Sequence, residues 1–117
     1  MRGAQVTYGQ AGVALTTTAD PNVTAPSEDK VIAVPADKGG GVLADLAAWV
    51  AGTGGSATLQ AWVYDPDFAA WFKLGATFVV TFGVMAYGSA QIPHEAKLYV
   101  QVTAVGAGAE RVGLAIA

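Results

Sequence analysis

A chain of 117 residues is the right size for one domain with a core of its own. Only 13% of it is charged and the net charge is −3, with Arg2, Lys30, Lys38, Lys73, Lys97 and Arg111 scattered; this argues against nucleic acid and against a membrane surface as partner. The absence of cysteine excludes disulfides and thiolate metal sites, and 53% hydrophobic residues with so little charge point to a surface partly covered by a partner, unless abundant Ala and Gly account for the excess.

Residues 1–5 lack the apolar run of a signal peptide. The uncharged stretch 74–93 is interrupted by Gly75, Thr77, Thr81, Gly83, Gly88, Ser89 and Gln91, so it does not read as a membrane span. The expectation is a soluble chain made in the cytoplasm.

In chain order, residues 1–30 carry few large hydrophobes: Val6, Tyr8, Val13 and Leu15, then Val23. Residues 16–29 have the Pro, Asp, Asn and Ser chemistry of turns and loops. The segment reads either as a frayed terminus or as an extended arm that orders on a neighbour. On the second reading, deleting residues 2–29 weakens attachment and leaves the melting temperature almost unchanged. Asn22-Val23-Thr24 matches a glycosylation acceptor and is read as chance, since no signal peptide accompanies it.

Residues 30–34 read as a strand closed by the Gly-rich turn 35–41. Gly39-Gly40-Gly41 lacks the Lys-Ser/Thr and helix that a phosphate-binding loop requires. Residues 42–50 fit a helical stripe and a strand alternation equally, and the Gly-rich turn at 53–56 with a strand directly after it favours the strand. In 57–64, Leu59, Ala61 and Val63 share one face, and Thr58, Gln60, Trp62 and Tyr64 the other. Asp65-Pro66-Asp67 turns the chain into 71–74, and Phe78, Val80, Phe82 and Val84 alternate with Val79, Thr81 and Gly83. In 97–105, Leu98, Val100, Val102 and Ala104 are expected inside, with Lys97, Tyr99, Gln101 and Thr103 outside. Residues 106–109 turn again, and Val112, Leu114 and Ile116 make a last strand. The pattern predicts an all-β protein, an antiparallel β-sandwich or jelly roll of roughly seven or eight short strands. The domain spans 31–117 and the extended N-terminal arm 1–30.

Chemistry is sparse. His94 is the sole histidine, and none of Ser27, Ser56 and Ser89 stands in a nucleophile-elbow context. No catalytic, cofactor-binding or metal-binding residue is therefore assigned, and the chain is expected not to be an enzyme. Asp65 and Asp67 supply too few oxygens for calcium and read as turn residues. Trp49, Trp62 and Trp71, with Tyr64, Phe68 and Phe72, fill a core, meet a partner or, least favoured, stack on sugars.

Residues 57–75, a strand ending in Tyr64-Asp65 that turns into a Trp71-containing strand finishing in Leu74-Gly75, resemble a hairpin of small virion proteins of tailed bacteriophages. Residues 97–109 resemble the closing hairpin of the same proteins, and the likeness covers roughly 42–117. The resemblance implies a capsid decoration (cement) protein, or the base of a head fibre, on the exterior of the virion. Such a protein binds the major capsid protein as a homo-oligomer, typically a trimer, with its N-terminal arm over the shell. It brings no catalytic residues. The residues expected to meet partners are Tyr8, Val13 and Leu15 of the arm and Trp62, Tyr64 and Trp71 of the aromatic face. The alternative is a glycan-binding or adhesive β-sandwich using the same aromatic face.

Overall fold

The computed structural model describes residues 4–33, 43–91 and 97–116. The described residues form β1 (Ala4–Gly9), β2 (Val31–Ala33), β3 (Leu43–Gly52), β4 (Ser56–Asp65), β5 (Ala70–Lys73), β6 (Phe78–Thr81), β7 (Ala86–Gln91), β8 (Lys97–Val105) and β9 (Ala109–Ile116), with one 3-10 turn at Glu28–Lys30. All pairings are antiparallel. One sheet has the order β1-β9-β3-β7; the other runs β2-β8-β4, with β5 and β6 sharing the far edge of β4. The protein is a β-sandwich, as the strand pattern predicts.

The core follows from period-two alternation on both sheets. Val6, Tyr8, Ala48, Val50, Val112 and Leu114 come from the first sheet, and Ile32, Leu59, Val80, Leu98, Val100 and Val102 from the second. Burying each large aliphatic side chain contributes about 1.5–3 kcal/mol. Tyr8 is admitted because its hydroxyl donates to the Val100 carbonyl at 2.7 Å. Buried Gln60 is likewise satisfied: its amide nitrogen donates to the carbonyls of Ala61 (2.9 Å) and Gly75 (3.0 Å).

The sheets are joined at a glycine corner. β3 becomes β4 through residues 53–55, and β8 becomes β9 through 106–108. Because β3 pairs with β9 and β4 with β8, the two turns stack on each other. The Thr53 N–H donates to the Gly108 carbonyl (3.0 Å) and the Gly106 N–H to that of Ser56 (2.7 Å). Gly55 has φ +83° and Gly108 φ +95°, and a Cβ on Gly55 would lie 2.5 Å from the Ala107 carbonyl oxygen. Only glycine accepts that backbone and that approach.

Several expectations are corrected. Residues 4–30 are not an arm apart from the domain, and the boundary at 30 is not a domain boundary. β1 pairs with β9 along its whole length, and Val6, Tyr8 and Leu15 are buried. Val6 and Tyr8 suffice for a strand because β9 supplies the other half of the ladder. Ala104 is exposed rather than inside: a register shift at Thr58/Leu59 sets Val102 opposite Leu59 but Ala104 opposite Thr58, reversing the alternation. Phe82 and Val84 do not continue β6, because the strand ends at Thr81 and Gly83 (φ +83°) turns the chain. Residues 43–52 resolve the two-way periodicity as a strand. β7 was unforeseen.

Candidate functional site

The predicted partner-binding residues scatter between core and surface. Tyr8, Leu15, Trp62 and Trp71 are buried within the single chain. The expectation that they meet a partner is corrected, since their neighbours in the same chain already cover them. Val13 is exposed and Tyr64 half-buried.

The cover over the aromatic face is the segment leading from β1 to β2. The Leu15 N–H donates to the Ala109 carbonyl (3.0 Å), and that of Thr18 to the Val102 carbonyl (2.9 Å). The Thr18 hydroxyl oxygen accepts from the Val102 N–H and from the Tyr99 hydroxyl, both at 2.9 Å. An Asx turn at Asp20, whose carboxylate accepts the Asn22 N–H at 2.8 Å, then presents Asn22 to β5. There the Asn22 amide closes both backbone groups of Trp71, accepting its N–H at 2.8 Å and donating to its carbonyl at 2.9 Å. Residues 18–22 thus lie over Tyr99 and reach Trp71, and Pro21 is buried. Trp71 packs edge-on to Tyr64 (5.2 Å) and Tyr99 (6.0 Å), and the Trp62 indole N–H donates to Gln101 (3.0 Å). The apparent outer face is therefore a second buried layer.

The covering segment continues past Asn22 to the 3-10 turn at Glu28–Lys30. It leaves a groove of about 370 Å³ lined by Pro26, Glu28, Val31, Tyr64, Trp71 and Lys97. The Lys97 ammonium sits 5.9 Å from the Tyr64 ring centroid. Beside it, Asp65 accepts the Asp67 N–H at 2.9 Å, the turn geometry expected of Asp-Pro-Asp. His94 and Gly39-Gly40-Gly41 lie outside the described residues.

Two exposed apolar clusters lie outside the predicted partner-binding residues, although Phe68 and Phe72 belong to the aromatic group weighed for core, partner or sugar. Phe68 (75% exposed) and Phe72 meet edge-on at 6.1 Å at the β4–β5 turn. Val79, Phe82, Val84 (61% exposed) and Met85 are exposed on β6 and in the turn to β7. A large hydrophobe inside a turn was the available signal: Phe68 follows Asp65-Pro66-Asp67, and Val84-Met85 follows Gly83. The clusters sit at opposite ends of β4, since Phe72 lies opposite Val63 and Val80 opposite Ala57. At about 3.3 Å per residue that is a separation of about 20 Å.

The sheet edges are treated unequally. Asn22 closes β5, Thr18 closes β8 beyond the end of β2, and the Lys30 ammonium donates to the Thr7 carbonyl of β1 at 2.6 Å. Among the described residues no side chain closes β6 or β7 in this way. No charged residue occurs from 74 to 93. Edges without charge, proline or cover are the ones that pair or pack with other chains.

Compared with models of known protein families the chain matches none, and no curated protein is significantly similar to it.

Proposed function

We propose that this chain is a non-catalytic structural protein that bridges protein surfaces, a decoration protein that binds the assembled major-capsid lattice on the exterior of a virion. The observation that carries the reading is the pair of exposed apolar clusters at opposite ends of β4 on one laced, well-satisfied body. A bridge needs two separate contacts held at a fixed distance, and a β-strand is a stiff spacer. Clamping an assembled lattice stabilises it because the bound state exists only when the subunits are joined. The resemblance of residues 57–75 and 97–109 to small virion proteins supplies the capsid as the lattice.

The test is co-sedimentation with assembled capsid shells and, separately, with unassembled capsid subunits. Attachment to shells and not to subunits is expected. Phe68→Ser with Phe72→Ser should weaken it at least about tenfold, as loss of buried aromatic anchors does. A chain that sediments with neither shells nor subunits overturns the reading.

The groove favours a second reading, glycan binding, since it sets Tyr64 beside Glu28 and Lys97. Trp62 is buried and does not belong to it. Titration with neutral disaccharides that gives a signal lost in Lys97→Gln would favour that reading.

A further inference from the structure

We infer that Trp49 and the polar residues set around it by the sheet register form a shelf on which one pyranose ring of a polysaccharide stacks. The shelf lies on the outer face of the β1-β9-β3-β7 sheet, whereas the groove belongs to the other sheet. It goes beyond the bridging function and does not rest on it.

The shelf begins with a glycine. Trp49 of β3 stands opposite Gly113 of β9. A Cβ on Gly113 would lie 2.1 Å from the indole Cε2, 2.3 Å from Cζ2 and 2.4 Å from Nε1, so the ring is laid down on the bare backbone of β9. A glycine inside a paired strand marks such a close approach. The ring's under-side is thus covered while Trp49 stays only half-buried; Trp62 and Trp71 are buried outright. The Trp62 N–H donates to Gln101, but among the described residues the Trp49 N–H meets no acceptor, and it is not sealed from solvent. An aromatic face and a donor are both left for something outside the chain.

The surroundings name the ligand class. Leaning from β3 over β9, the indole reaches toward β1, about 10 Å from β3. There Thr7 stands opposite Gly113 and Gln5 opposite Ala115, and Arg111 lies two residues before Gly113 on the same face. Gln5, Thr7 and Arg111 are all exposed. A pyranose ring has a C–H face that meets the negative π face of an indole. Its rim of hydroxyls calls for donors and acceptors together, which an amide, a hydroxyl, a guanidinium and an indole N–H supply. A protein anchor would instead sit among further large apolar side chains that exclude water, and β9 and β1 offer none at these positions. A nucleic-acid base could stack as well, but its phosphates call for several cations, and Arg111 is the sole one at these positions in a chain of net charge −3. These residues are far apart in sequence and meet only through the β1–β9–β3 pairing.

The test is titration of the full chain with cellotetraose, maltotetraose, N-acetylchitotetraose and, as a stacking ligand of the other class, an oligothymidylate. Calorimetry reads affinity, and acrylamide quenching of fluorescence reads Trp49, the tryptophan that is not buried. At least one tetrasaccharide is expected to bind with a Kd of about 1 mM or tighter and to shield Trp49 from acrylamide. Trp49→Ala should abolish that binding. Gly113→Ala should weaken it at least about tenfold and raise quenching, because the new methyl lifts the ring off β9. Gly113 has no positive φ, so alanine suits its backbone and only the ring must move, and circular dichroism checks the fold of both variants. Binding of none of the three sugars at about 5 mM overturns the inference. So does binding that survives Trp49→Ala, binding unchanged in Gly113→Ala, tighter binding of the oligothymidylate, or binding lost in Lys97→Gln, which would place the sugar in the groove. Shell attachment is scored separately: a chain that binds shells and no sugar removes only this inference, and one that binds sugar and no shells removes only the proposed function.

Discussion

Asn22 shows how much one polar side chain does in this molecule. Its amide mimics a neighbouring strand toward Trp71, offering one acceptor and one donor to the two backbone groups of an edge residue. It also anchors the segment that covers Tyr99. Asn22→Ala is expected to cost about 1–2 kcal/mol, the worth of two such bonds once water replaces part of them. Thermal unfolding should show a melting temperature lower by about 5 °C or more. An unchanged midpoint would mean that Pro21 and Thr18 hold the segment alone. Tyr8 gives the second residue-scale prediction. Burial raises its phenol pKa well above the ordinary value, and the nearby Tyr99 and Asp29 add to the shift. The folded state therefore favours the neutral phenol. Its stabilising contribution is complete below the unfolded-state pKa of about 10 and is lost as pH rises above it, because the unfolded chain then ionises first. Tyr8→Phe should be less stable by about 1–2 kcal/mol at neutral pH, with the Val100 carbonyl left unpaired. Denaturant midpoints should show that deficit shrinking between about pH 9 and about pH 11. A deficit that is constant across that range contradicts the assignment.

At the scale of elements, the N-terminal strand and its continuation are structural parts of the sandwich. Removing residues 2–29 takes away β1, the buried side chains of Val6, Tyr8, Leu15 and Pro21, and the cover over the aromatic layer. At about 1.5–3 kcal/mol for each large side chain, most of a small domain's net stability is lost. The truncated chain is therefore expected to melt at least about 15 °C lower or not to fold, reversing what an independent arm would give. Circular dichroism melts of the two chains decide it. The elements that alternation alone marks were legible: β4, β8 and β9 fill the core with Leu59, Leu98, Val100, Val102, Val112 and Leu114. β7, with the sequence AYGSAQ, was not legible, because its small residues are strand only by virtue of pairing with β3. β1 was overlooked because two apolar residues among polar ones look like a tail until β9 is beside them. The aromatic face was misread for a related reason. Alternation shows that Trp62 and Tyr99 lie away from the inter-sheet core, but not that residues 18–22 return to cover them. Phe68 stands among the aromatic residues that the sequence leaves between core and partner, and Val84 reads as strand alternation until Gly83 turns the chain.

At the scale of the whole molecule, the two apolar clusters differ in their charge surroundings, so salt should act on them differently. Screening shortens to about 3 Å at 1 M ionic strength and weakens contacts that rely on exposed charges. Hydrophobic contacts without charge are not weakened in that way. The cluster around Val84 has no charged residue in its own stretch of chain, whereas Asp65, Asp67 and Lys73 flank Phe68 and Phe72. Raising NaCl from about 0.1 M to about 1 M should therefore weaken attachment to shells severalfold if the Phe68–Phe72 end makes the contact. Co-sedimentation with shells at the two salt concentrations reads it. If shell attachment persists undiminished in high salt, the uncharged cluster around Val84, and not the Phe68–Phe72 end, makes the dominant contact with the shell. Such a bridge would still span about 20 Å, the length of β4 between its two clusters.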